Sequence, residues 1–140
     1  MIVATQLLAH ERTSLGAGSD DGVRKASGSA ALPFHFLQSL AESSGRSNDM
    51  NLRQELARAY SGEMIMSWLT RRRTHPSIGK LWRTRQARHC AFTLAMMRPQ
   101  LIAHEGSEDD LFWNYHFLNS PRMSLGGGTD EIQRLSLIHI

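Results

Sequence analysis

The sequence has one cysteine, Cys90, which excludes an internal disulfide framework and any zinc module built on several cysteines. It also points to a reducing compartment, and the expected localisation is cytoplasmic. No apolar run extends beyond a few residues, so no transmembrane helix is expected. Met1-Ile2-Val3-Ala4 lacks the basic start and long apolar stretch of a signal peptide. Nowhere do apolar and polar residues alternate over a useful length, so strands are not expected. Charge of one sign is also scarce. Sixteen basic residues, of which only Lys25 and Lys80 are lysine, stand against thirteen acidic ones, and a net +3 does not announce a nucleic-acid partner. The seven histidines form no HExxH and no His-x-x-x-His pattern. Adjacent His10 and Glu11 point to different faces of a helix, so no metal site is expected.

What remains is a chain able to build a core. Its 140 residues, 41% hydrophobic and 21% charged, have the size and balance of one domain. Ile2, Val3, Leu7, Leu8 and Leu15 form a short helical stripe, which the glycines of 16–22 end. Residues 16–32 are rich in Gly, Ser and Ala and have no period, so they read as loop. Phe34 to Ser43, after Pro33, reads as a short helix. Ser47-Asn48-Asp49 supplies an N-cap, and Leu52, Leu56, Tyr60, Met64 and Trp68 follow at four-residue steps. From Tyr60 onward apolar residues cover more than one face, which predicts burial on several sides. Pro76 separates this helix from a second long one marked by Ile78, Leu81, Trp82, Phe92, Ala95 and Met96, and Pro99 stops it. Leu111 to Leu118 predicts a last short helix before a glycine loop, Gly126-Gly127-Gly128, that opens another at Thr129-Asp130-Glu131. The expected fold is all-α: an up-and-down helical bundle with two long helices flanked by shorter ones.

Most chemistry-bearing residues read as structural. Arg71-Arg72-Arg73, with Arg83, Arg85 and Arg88, offers a basic surface for phosphates, but no aromatic interleaving supports nucleic acid. A solvated face and a helix C-terminus account for it better. Cys90 reads as a packed thiol. Ser61-Gly62-Glu63 has no strand before it and so no nucleophile-elbow context.

The glycine loop is more specific. Gly-Gly-Thr-Asp-Glu-Ile-Gln-Arg, preceded by Phe117-Leu118-Asn119-Ser120-Pro121-Arg122, closely resembles the C-terminal signature of the flavin-dependent acyl-CoA dehydrogenases. Pro76-Ser77-Ile78-Gly79-Lys80-Leu81-Trp82 resembles the start of a long bundle helix in that family, and Leu8-Ala9-His10-Glu11-Arg12 its opening helix. The resemblance spans roughly residues 2–134, and residues 1–134 are read as a partial C-terminal bundle domain. The chain opens inside a helical stripe, and Leu135 to Ile140 is similar to a translated sequencing-library adapter. The expectation is therefore a fragment of a longer protein with a non-native tail at 135–140.

The resemblance implies α,β-dehydrogenation of an acyl-CoA thioester, with FAD as hydride acceptor and a glutamate as base. It further implies a dimer or tetramer, homomeric or heteromeric, formed through the bundle, and an electron-transfer flavoprotein or similar acceptor. In much of the family the base lies two residues before the signature threonine, where this chain has Gly127. Members similar to isovaleryl-CoA dehydrogenase instead carry it on the first bundle helix in a Leu-x-x-Glu-Arg pattern, matched by Leu8-Ala9-His10-Glu11-Arg12. The implied base is Glu11, with Arg12 supporting the active site and Gly128, Thr129 and Glu131 near the cofactor. Two departures bear on FAD. Residues 17–48 lack the Arg-x-x-Phe-Gly stretch of many members, and Ala103 and His104 replace glycines expected between Gln100 and Gly106. A non-catalytic subunit of a heteromeric dehydrogenase is the alternative reading, and an unrelated helical binding module using Arg71 to Arg73 is the third.

Overall fold

The computed structural model describes residues 32–102 and 108–139. These residues form five α-helices and two short 3-10 turns, with no strand among them. Helix α1 is Phe34–Ser43, α2 Met50–Arg71, α3 Pro76–Met97, α4 Glu108–Asn119 and α5 Asp130–Ile138. The 3-10 turns are Pro99–Ile102 and Pro121–Ser124. The fold is an all-α helical bundle. Its two long helices are 22 residues each, and the start of each follows local chemistry. Asp49 caps α2 by accepting from the N–H groups of Asn51 and Leu52, and Pro76 begins α3, where a missing N–H costs nothing. Arg73, at φ 49°, makes the turn between them.

The α2 and α3 axes run antiparallel, as three side-chain bonds show. Trp82 donates to the Gly62 carbonyl at 3.0 Å, Gln86 to the Ala59 carbonyl at 2.7 Å, and the His89 ring lies 3.0 Å from the Glu55 carbonyl. Positions thus rise along α3 as they fall along α2. Helix α1 returns along α2 in the same manner. Phe34 meets Tyr60 edge to face at 5.3 Å, and the Phe34 N–H donates to the Glu63 carboxylate at 2.7 Å. Pro33 offers α1 no side-chain cap, so Glu63 supplies the acceptor and a negative charge at the helix N-terminus. At the other end of α1, Arg46 bonds the Met96 carbonyl and pairs with Asp49. Leu37, Leu40, Leu52, Cys90, Leu94 and Met97 form the core, and Phe36, Phe112 and Trp113 attach α4 to it.

The buried faces differ from those expected. On α3 one buried stripe is Ser77, Lys80, Thr84, Ala87, Ala91 and Leu94, spaced by three and four, and Gln86, Cys90, Thr93 and Met97 form a second beside it. Of the apolar residues taken to mark this helix, Phe92 is 59% exposed and Ile78 37%. On α2 only Leu52, Ala59 and Gly62 are buried, while Tyr60 and Trp68 are exposed. The expectation that α2 is buried on several sides is therefore corrected. The helices meet on small residues because close backbone approach brings more atoms into contact. A Cβ at Gly62 would fall 1.8 Å from the Gln86 Oε1, which shows how tight the crossing is.

Candidate functional site

The glycine loop closes onto α3 just before α5 begins. Gly127 and Gly128 have φ of 68° and 87°, a backbone region that strains any residue with a Cβ. At Gly128 a Cβ would also lie 2.9 Å from the Gln133 Nε2. Gln133, fully buried, donates to the Gly127 carbonyl at 2.7 Å and ties the loop to the helix it precedes. Thr129 caps α5 by accepting from the Ile132 N–H at 3.4 Å.

A buried charge pair fixes this unit in place. Lys80 Nζ lies 2.6 Å from Asp130 Oδ1, with side chains only 6% and 10% exposed. Lys80 also donates to the Ser124 carbonyl at 3.1 Å, and Thr84 to the Met123 carbonyl at 3.1 Å. Two successive turns of α3 therefore hold both the 3-10 turn and the first residue of α5. Desolvating a lysine and a carboxylate is costly, and the cost is met only when donors and acceptors are matched this closely.

Three of the five residues implied by the resemblance fall among the described residues. Gly128 and Thr129 lie together at the half-buried loop, and Glu131 follows on the exposed side of α5. Glu131 pairs loosely with Arg134 at 3.6 Å. Its own backbone N–H and the Thr129 hydroxyl hold its carboxyl below the usual carboxylate range. Glu11 and Arg12, and the stripe from Ile2 to Leu15, lie outside the described residues. Sequence reasoning missed Lys80 and Gln133. The signal was available: Ser77, Lys80, Thr84, Ala87, Ala91 and Leu94 share one helical face, and a lysine on such a face needs a buried partner.

Two further groups have chemistry of their own. Cys90 is 1% exposed, and burial with the nearby Glu63 charge pushes its thiol up to about 12. It stays protonated and unreactive, as a packed thiol should. His116 borders a small cavity of about 10 Å3, room for about one water molecule. Its Nε2 is buried without a hydrogen-bond partner, and burial lowers its pKa below the ordinary histidine value. No cluster of three or more metal-ligating side chains occurs among the described residues.

No helix among the described residues is long and apolar enough to cross a membrane. No protein-family model, no curated protein and no solved structure matches this chain.

Proposed function

We propose that the chain is the C-terminal bundle domain of a flavin-dependent acyl-CoA dehydrogenase, the parent protein oxidising an acyl-CoA thioester at its α,β bond. One observation carries the reading: the signature-like segment forms a glycine turn, pinned by Lys80 and Asp130 at the head of a helix. A turn with φ of 68° at Gly127 and 87° at Gly128 lets backbone approach a flat cofactor without a side chain between them. Gly128 and Thr129 suit that role. Glu131 suits it less, because its carboxylate is engaged by Thr129 and Arg134. FAD, when bound, supplies the hydride acceptor.

The base must come from elsewhere, since Gly127 has no side chain and its backbone region disfavours one. Glu11 is the proposed base, with Arg12 orienting it. A carboxylate in this role needs a water-poor pocket that raises its pKa toward neutrality. Assembly through the bundle as a dimer or tetramer, an electron-transfer flavoprotein as acceptor and a cytoplasmic location belong to the same proposal. The alternative is a non-catalytic subunit of a heteromeric dehydrogenase, favoured by Gly127 and by the lack of Arg-x-x-Phe-Gly in 17–48.

The test uses the complete parent protein. Its visible spectrum is recorded, and acyl-CoA thioesters are added without an electron acceptor. Bleaching of a flavin band by one thioester, abolished in Glu11→Gln, is the expected result. A flavin that bleaches equally in Glu11→Gln overturns Glu11 as the base and counts against the non-catalytic subunit reading. A protein that stays colourless with added FAD overturns the enzyme proposal for this chain.

A further inference from the structure

The arginines that sequence reasoning grouped together do not form one surface. Arg71, Arg72 and Arg73 are exposed at the C-terminal end of α2, and Arg83 is half-buried. Arg85 and Arg88 instead border a groove of about 440 Å3 between α3 and α5. Leu81, Arg85 and Arg88 stand at helical spacing on one face of α3, and Asp130, Arg134 and Leu137 on one face of α5. The two faces oppose each other across the groove.

Its chemistry is two-sided. Ile78, Leu81 and Trp82 give it an apolar wall and Arg85 and Arg88 a basic edge, while Arg134 on the α5 side pairs with Glu131 at 3.6 Å. Neither Arg85 nor Arg88 has a carboxylate partner among the described residues; Arg85 lies over the Trp82 ring at 5.3 Å. Asp130 lines the same groove, but Lys80 at 2.6 Å neutralises it. The groove therefore carries uncompensated positive charge beside apolar surface. Guanidinium groups recognise carboxylates and phosphates through paired N–H donors, and a groove of this volume falls in the range of small-ligand sites.

We propose that the α3–α5 groove binds a small single-tailed anionic amphiphile, its carboxylate or phosphate head on Arg85 and Arg88 and its aliphatic tail against Ile78, Leu81 and Trp82. This site does not rest on the dehydrogenase reading: it uses neither Glu11 nor the glycine loop, although Leu81 and Trp82 lie in a segment that carries the resemblance. The tail lies along the groove floor, where Trp82 and Leu81 lose contact with water. The head stays near the rim, so binding weakens as salt rises.

Calorimetric titration of the 140-residue chain tests this with octanoate, octyl phosphate, octanol and acetate, each below its aggregation limit. Octanoate and octyl phosphate are expected to bind one to one, and whichever binds more tightly identifies the head group. Octanol and acetate are expected to bind at least about tenfold more weakly. The Arg85→Gln/Arg88→Gln variant is expected to lose about tenfold for both anions. The Arg71→Gln/Arg72→Gln/Arg73→Gln variant is expected to lose nothing. Both sets of arginines are exposed, so the variants are expected to fold, which their circular dichroism spectra check. Octanol binding as tightly as octanoate, acetate matching octanoate, or equal losses in the two arginine variants would overturn the proposal.

Discussion

Lys80 and Asp130 are the residues on which the C-terminal part of the bundle depends. Removing one partner leaves the other charge buried and unpaired, and Lys80→Met is expected to cost about 3–5 kcal/mol in urea unfolding. Lys80→Met/Asp130→Leu is expected to recover most of that loss, because two apolar side chains can fill the same space. A double variant as unstable as the single one would mean that the Lys80 bond to Ser124 matters more than the charge pair. His116 carries a pH prediction. Burial disfavours the charged imidazole in the folded state, while the unfolded chain protonates it below about 6.5. The stability it contributes is therefore complete above that value and falls as the pH drops through it. Denaturant midpoints measured across this range should fall less steeply in His116→Phe than in the parent chain. Coincident profiles would place the acid sensitivity in other groups.

At the scale of elements, the α2–α3 crossing can be tested through Gly62. Alanine is the better helix former by about 1 kcal/mol, so propensity alone favours Gly62→Ala. Its Cβ, however, would drive Gln86 from its 2.7 Å bond to the Ala59 carbonyl inside a buried crossing. Gly62→Ala is expected to destabilise on balance. In the Gln86→Ala background the same change should become neutral or stabilising, and thermal unfolding of the four-protein cycle measures the coupling. The cap at Asp49 is a simpler case: Asp49→Ala should cost about 1 kcal/mol, with some further loss from its Arg46 pair.

The elements themselves were legible in the sequence, because Asp49, Pro76, Pro99 and Thr129 are local signals that act on their own neighbours. The packing faces were less so. Leu52 to Trp68 at four-residue steps looked like a core stripe, but Tyr60 and Trp68 face outward while Ala59 and Gly62 face α3. Hydrophobicity ranks a tryptophan above a glycine, whereas a close crossing selects for the glycine. The candidate site was legible as a turn followed by a cap. Its anchor was not, because Lys80 and Asp130 are 50 residues apart and only the fold brings them together.

For the molecule as a whole, the outward large side chains have a consequence in solution. Trp68, Phe92, Leu118 and Leu125 are each more than half exposed. Exposed apolar surface of this kind drives association. The chain is expected to elute with an apparent mass that rises with concentration, and Trp68→Glu/Phe92→Glu should move it toward the monomer. A parent chain that stays monomeric at every concentration would show that these side chains do not form a joint contact surface.

Helix α3 touches every other helix of the described bundle, α1, α2, α4 and α5. It occupies Pro76–Met97, in the second half of the chain. During synthesis, α1 and α2 therefore leave the ribosome before the face that completes their core exists. Until Cys90, Leu94 and Met97 emerge, Leu37 and Leu52 lack their core partners from α3. The nascent chain must stay unaggregated over that interval, and the elongation rate through α3 determines how long it lasts.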